Sequence, residues 1–217
     1  MKLSRTNTVL AKMKEQGITH ALVSDPYSIF YLTGFLENPG ERFFAILLDE
    51  NGNHKLFLNI LFPLEEDLGL EIVSYSDTDD IISKVAEYIP DGTKLGIDKI
   101  LPARFLLPLM DKLPKTKFVD VSILVDTTRM LKDEEEKKLM RISSELNDKA
   151  CQFVIDNITE DTTEKDLVKK LLAYYEEIGV EGTSFAPIIA FGDNGANPHG
   201  MPGDRKPKPG ESVIVDI

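Results

Sequence analysis

The chain has 217 residues and a formal net charge of -12, with 37 acidic against 25 basic side chains, which argues against a polyanionic partner such as nucleic acid or an anionic membrane. Its 42% hydrophobic content can fill the core of one or two domains. The single Cys151 excludes an internal disulfide framework, and charges scattered through MKLSRTNTVLAKMKEQG exclude a signal peptide or membrane span there, so a cytoplasmic protein is expected.

Leu3, Val9, Leu10 and Met13 recur at helical spacing and Gly17 ends the pattern, predicting a helix over 3–16. Ala21-Leu22-Val23 predicts a short strand, and Asp25-Pro26 a turn or first helical turn leading to Tyr31-Leu32-Thr33-Gly34-Phe35. The apolar run Phe43–Leu48, the turn signal Asn51-Gly52 and the return Lys55–Leu61 predict a β-hairpin. A short helical stretch is expected around Phe62–Asp67, then a strand over Leu70–Tyr75. Asp77 or Thr78 can cap a helix running to about Ile89, followed by a strand over Lys94–Asp98. Pro102 opens a helix over 102–113, and Phe118–Val121 closes the series. Strands alternating with helices point to a three-layer α/β domain with a mixed sheet over residues 1–126. After Val23 comes Ser-Asp-Pro-Tyr rather than a Gly-rich loop, so dinucleotide binding has no support. His20 and His54 stand beside a strand and a hairpin turn, where a structural role suffices.

Residues 127–217 form a second segment. Asp133 and Glu136 have capping-box spacing at the head of a long helix to about Asn157, whose face carries Leu139, Ile142, Leu146, Ala150 and Phe153. Thr163 and Asp166 repeat that spacing before the stripe Leu167, Leu171, Leu172 and Tyr175, which Gly179 ends. A strand over Ala186–Phe191 leads into a loop over 192–204, dense in turn formers, that presents His199 between Pro198 and Gly200. An imidazole on such a loop fits substrate contact or proton transfer. The last strand alternates Val213, Val215 and Ile217 on one face with Ser212, Ile214 and Asp216 on the other. A carboxylate among β-branched residues is either a solvated strand end or a group paired with a partner or metal.

These segments together resemble the N-terminal part of the proline-specific metallopeptidases, the Xaa-Pro dipeptidases and aminopeptidases of the creatinase/prolidase (pita-bread) family. The resemblance rests on Ser24-Asp25-Pro26 with Tyr31-Leu32-Thr33-Gly34-Phe35, on Glu41-Arg42, on Tyr75-Ser76-Asp77-Thr78-Asp79 and on Arg129–Glu136 with Leu139-Met140-Arg141. Its most specific parts are Phe191-Gly192 through Asn194-Gly195-Ala196-Asn197-Pro198-His199-Gly200 and the stretch Gly210–Asp216.

The resemblance implies a creatinase/prolidase-like N-terminal domain over 1–126 and an incomplete α+β pita-bread domain over 127–217. It makes His199 a substrate-contacting, proton-handling residue and Asp216 the first of five ligands to two divalent metal ions, Mn, Co or Zn. The other four ligands would lie beyond Ile217, so the 217-residue polypeptide is expected to be inactive by itself and its last strand to lack a sheet partner. Proline-containing dipeptides or short peptides are the implied substrates, with dipeptidase favoured over aminopeptidase, and a homodimer is the implied assembly. The alternatives are a metal-free creatinase-like relative and a non-catalytic dimerisation or interaction module.

Overall fold

Successive residues of the central strands of the first unit point into two different cores, one on each face of a single sheet. The computed structural model describes residues 1–217, which divide into two units, Met1–Leu131 and Lys132–Ile217. In the first, β1 (His20–Val23), β2 (Ala45–Asp49), β3 (Lys55–Asn59), β4 (Glu71–Tyr75), β5 (Lys94–Ile97) and β6 (Lys117–Asp120) lie in the order β4-β3-β2-β1-β5-β6. β2 runs antiparallel to β1 and β3, and all other pairs are parallel, giving the mixed sheet the sequence predicts. Val23, Ile46, Leu48, Leu56 and Leu58 pack with α1 (Leu3–Glu15), α2 (Pro26–Thr33) and α5 (Ser122–Met130). Leu22, Ala45, Leu47 and Phe57 pack with α3 (Ile81–Glu87) and α4 (Ala103–Lys112) on the other face. A strand covered on both sides has no polar face, which is why Phe43–Leu48 reads as an unbroken apolar run.

The helix ends follow local chemistry. After α1, Ile18 N–H bonds Met13 O at 2.9 Å and Gly17 N–H bonds Lys14 O at 3.0 Å, an arrangement that needs the positive φ of 65° at Gly17. Asp25 caps α2 by accepting from Tyr27 and Ser28 N–H, with Pro26 at the first helical position. The cap of α3 is Asp80 rather than Asp77 or Thr78; Asp77 instead pairs with Arg42 at 2.7 Å and accepts from Asn59 at 2.8 Å.

The predicted hairpin forms: Asn51-Gly52 is the corner of a five-residue connection between β2 and β3, and Asp49 organises it, its carboxylate accepting from Asn51 N–H at 2.9 Å and Asn53 Nδ2 at 3.1 Å. Two further segments depart from the sequence reading. Phe62–Asp67 is irregular, because Pro63 lacks an N–H and disfavours a helical Phe62. The unpredicted α5 buries Leu124 and Val125 against the first core and carries the first unit to Leu131 rather than 126.

The second unit contains α6 (Glu134–Asn157), α7 (Glu164–Glu177) and a ribbon of β7 (Ile188–Phe191) and β8 (Val213–Asp216). Both predicted capping boxes form, Asp133 with Glu136 and Thr163 with Asp166. The core joins Ala150 and Val154 of α6, Leu167, Leu171 and Tyr175 of α7, and Ile189 and Phe191 of β7. Leu139, Met140 and Ile142, in the first half of α6, are exposed. No helix in either unit is long and apolar enough to cross a membrane.

Candidate functional site: the loop between β7 and β8

Between β7 and β8 the chain makes a 3-10 turn, Gly192–Ala196, and then a loop that carries His199. These turn formers supply little apolar surface, so hydrogen bonds set the path of the loop. Their hub is Glu164, the first residue of α7, which is 0% exposed. Its Oε1 accepts from Phe191 N–H at 2.8 Å, and its Oε2 accepts from Asn194 Nδ2 at 2.9 Å and from Gly203 N–H at 2.6 Å. One carboxylate therefore ties together the end of β7, the 3-10 turn and the far limb of the loop.

The start of α7 completes the attachment. The first N–H groups of a helix have no partner within it. Here Glu164 N–H donates to Arg205 O at 3.1 Å and Lys165 N–H to Gly203 O at 3.1 Å. Lys165 Nζ also reaches Asp204 at 3.2 Å, while Arg205 donates to Glu211 at 2.6 Å and Gly192 N–H to Ser212 O at 2.9 Å. His199 stands exposed on this frame. Its N–H donates to Asn197 Oδ1 at 3.1 Å and Gly200 N–H donates to Asn197 O at 2.9 Å, so the backbone is held on both sides of the imidazole.

Asp216 lies in β8 opposite Ile188, with Val213 opposite Phe191. β8 thus has β7 as its partner along one edge. Val215 and Ile217 turn toward the core, and Asp216, on the opposite face, is exposed. The carboxylate meets water and bears no burial cost. The 3-10 turn lies over this same face: a Cβ at Gly195 would stand 2.9 Å from Ile214 Cγ1, and Ile214 and Asp216 are two residues apart on the strand. The 3-10 turn that begins the His199 loop and the Asp216 carboxylate therefore share one side of the ribbon.

These residues do not complete a metal centre. No three His, Cys, Asp or Glu side chains gather as a potential ligand set. Asp216 is one carboxylate, whereas Mn, Co or Zn takes about four to six donors. His20 and His54 lie in the first unit and serve its packing. His20 Nδ1 is 2.9 Å from Thr19 Oγ1, and His54 Nδ1 accepts from Asp49 N–H at 3.2 Å. Burial pushes the His54 imidazole below its ordinary range, against a smaller opposing pull from Asp49.

Glu164 escapes the sequence reading because it sits in a capped first turn, where an acidic residue is expected to be solvated. A signal for it existed. The buried stripe Leu167, Leu171 and Tyr175, continued back by one turn, lands on Glu164, so this carboxylate occupies a core-facing position.

The family described as Creatinase/Prolidase N-terminal domain matches residues 5–131, and Metallopeptidase family M24 matches residues 138–217. An uncharacterized peptidase of Staphylococcus saprophyticus is 30% identical over 100% of this chain and 61% of its own length. A prolidase from Thermococcus sibiricus is 30% identical, with a TM-score of 0.89 over 100% of this chain and 61% of that one. A dipeptidase from Pyrococcus horikoshii OT3 is 27% identical, with a TM-score of 0.84 over 98% of this chain and 60% of that one. The chain thus spans about three-fifths of the length of the curated relatives it matches. Its six-stranded mixed sheet, its second unit and both family matches agree: the chain belongs to the creatinase/prolidase family of metallopeptidases.

Proposed function

We propose that these residues serve a peptidase that hydrolyses the bond preceding proline, with Xaa-Pro dipeptides as substrates in preference to longer peptides. The observation that supports this reading is that the 3-10 turn leading into the His199 loop packs on Ile214, on the side of β8 that bears Asp216. His199 is the group that contacts substrate and moves a proton, since it is exposed on a backbone held through its own N–H and that of Gly200. Asp216 is the carboxylate these residues bring to the divalent metal ions on which the family depends, with two ions and Mn, Co or Zn as the candidates. The preference for dipeptides is supported by the prolidase and dipeptidases among the similar structures. Homodimer assembly in a reducing cytoplasm completes the reading and accords with the single free Cys151.

The test is hydrolysis of Xaa-Pro dipeptides, beside longer Xaa-Pro peptides and dipeptides without proline, by the gene product at its natural length with Mn added. Cleavage of Xaa-Pro dipeptides is expected, abolished by Asp216→Asn and lowered about 100-fold in kcat by His199→Ala. No cleavage of any Xaa-Pro bond overturns the proposal. Selective cleavage of longer peptides overturns the dipeptidase assignment.

A further inference from the structure

We propose that Glu164 is a positioning residue for His199, acting as a clasp that closes both ends of the loop carrying the imidazole. The inference rests on the reading of His199 given above and adds to it a group that touches neither substrate nor metal. His199 lies between two of the clasp's attachment points, Asn194 and Gly203, and a third at Phe191 fixes where the loop leaves β7. Pro198 and Pro202 stiffen the span between them.

The chemistry explains why a carboxylate stands there. A charge withdrawn from water is costly unless it is fully bonded. An apolar residue would make a cheaper core contact at this position of α7, but it would leave the Phe191 and Gly203 N–H groups without their acceptor and the Asn194 amide with Met201 O alone, at 3.3 Å. An ionised carboxylate is acceptor-only and offers about four lone-pair sites, so it can take all three donors at once in charge-assisted bonds. Gln cannot reproduce the set. With one acceptor oxygen and one NH2 group, it turns a donor toward Phe191 N–H in one orientation and toward Asn194 and Gly203 in the other. Asp, one methylene shorter, cannot reach three separate segments from the same backbone position.

Two measurements test the proposal. Backbone 15N relaxation on the 217-residue protein compares Glu164→Gln, Glu164→Asp, Asn194→Ala and Thr163→Ala with the unchanged sequence. Thr163→Ala is the structural control, because it removes the α7 cap and leaves the carboxylate. In Glu164→Gln the order parameters of the His199 and Gly200 amides are expected to fall from about 0.85 to below about 0.6, with Ile189 and Leu171 unchanged. Asn194→Ala, which removes one tie of three together with the Asn194 Nδ2 bond to Met201 O inside the loop, gives a smaller fall, and Glu164→Asp, which keeps the charge and loses reach, carries the test if Glu164→Gln does not fold. Thr163→Ala lowers the melting temperature and leaves the loop ordered. A loop as ordered in Glu164→Gln and Asn194→Ala as in the parent overturns the proposal, and so does equal loosening by Thr163→Ala.

The second measurement is kinetic. In the Xaa-Pro assay, Glu164→Gln lowers kcat at least tenfold with KM within about twofold, and adding it to His199→Ala causes little further loss, because both act through one group. Full additivity of the two losses overturns the proposal. If no Xaa-Pro substrate is cleaved, the peptidase reading fails while the relaxation result still decides whether Glu164 holds the loop.

Discussion

Gly195 lies against Ile214 so closely that a methyl group on it would stand 2.9 Å from Ile214 Cγ1. Real Cβ atoms do not approach other carbons to that distance, so Gly195→Ala must lift the 3-10 turn from the ribbon or push Ile214 aside. Overpacking of this kind costs about 1–3 kcal/mol. Gly195→Ala is expected to destabilise the second unit within that range, and Ile214→Ala on top of it to recover most of the loss. A double-mutant cycle by denaturant unfolding checks the coupling; strictly additive values would show that the two residues do not bear on each other.

In the first unit, Asp98 is buried at the end of β5 and accepts from Ser24 N–H at 2.7 Å, Ser24 Oγ at 2.6 Å and Asp25 N–H at 2.7 Å. These bonds fix the departure of the chain from β1 into α2. Asp98→Ala leaves two backbone donors unpaired and is expected to cost about 3 kcal/mol. The measurement is the urea midpoint of the first unit. A shift equivalent to less than about 1 kcal/mol would mean that water replaces the carboxylate at no penalty.

The hairpin histidine makes stability depend on pH. His54 accepts a hydrogen bond from Asp49 N–H through Nδ1, so the folded state needs the neutral ring, and burial holds its pKa below the ordinary 6.5. The unfolded chain takes up the proton first as pH falls. Stability from this group is therefore fully present above 6.5 and is lost as pH drops through that value toward the lower folded one. His54→Gln keeps an acceptor for Asp49 N–H and removes the titration. It is expected to flatten the stability profile over that window, and an unchanged slope would assign the dependence to other groups.

Asp216 is a single exposed carboxylate and by itself makes no tight site for a divalent ion. Calorimetric titration of the 217-residue polypeptide with Mn is expected to show no two-site binding, with Asp216→Asn giving the same trace. Two equivalents bound tightly would mean that the ligands are assembled from residues the structure keeps apart.

Much of the first unit was legible in the sequence because its central strands are apolar on both faces and its turns carry the residues their geometry requires. The two capping boxes were legible for the same local reason. α5 was not, since Val121-Ser122-Ile123-Leu124-Val125 is rich in β-branched residues that weaken helix propensity, and the burial of Leu124 and Val125 overrides that preference. Asp80 was missed as a cap because Asp77 and Thr78 stand at similar spacing before the helix, and Asp49 because the Asn51-Gly52 turn signal does not say which side chain bonds the turn. In the candidate site, His199 and Asp216 stood out by their surroundings in sequence. Glu164 did not, because its meaning comes from donors 27 to 39 residues away.

The same hub also ties the loop to the phase of a helix. Successive residues of an α-helix turn by about 100° around its axis, so the direction in which Glu164 points is set by its spacing from Leu167 and Leu171. One residue inserted between Glu164 and Leu167 would swing the carboxylate off the core-facing side of α7 and release the His199 loop without altering a residue within it. The loop's anchorage therefore depends on one side chain, Asn194, on two backbone N–H groups, and on the length of the first turn of α7 that aims the carboxylate at them.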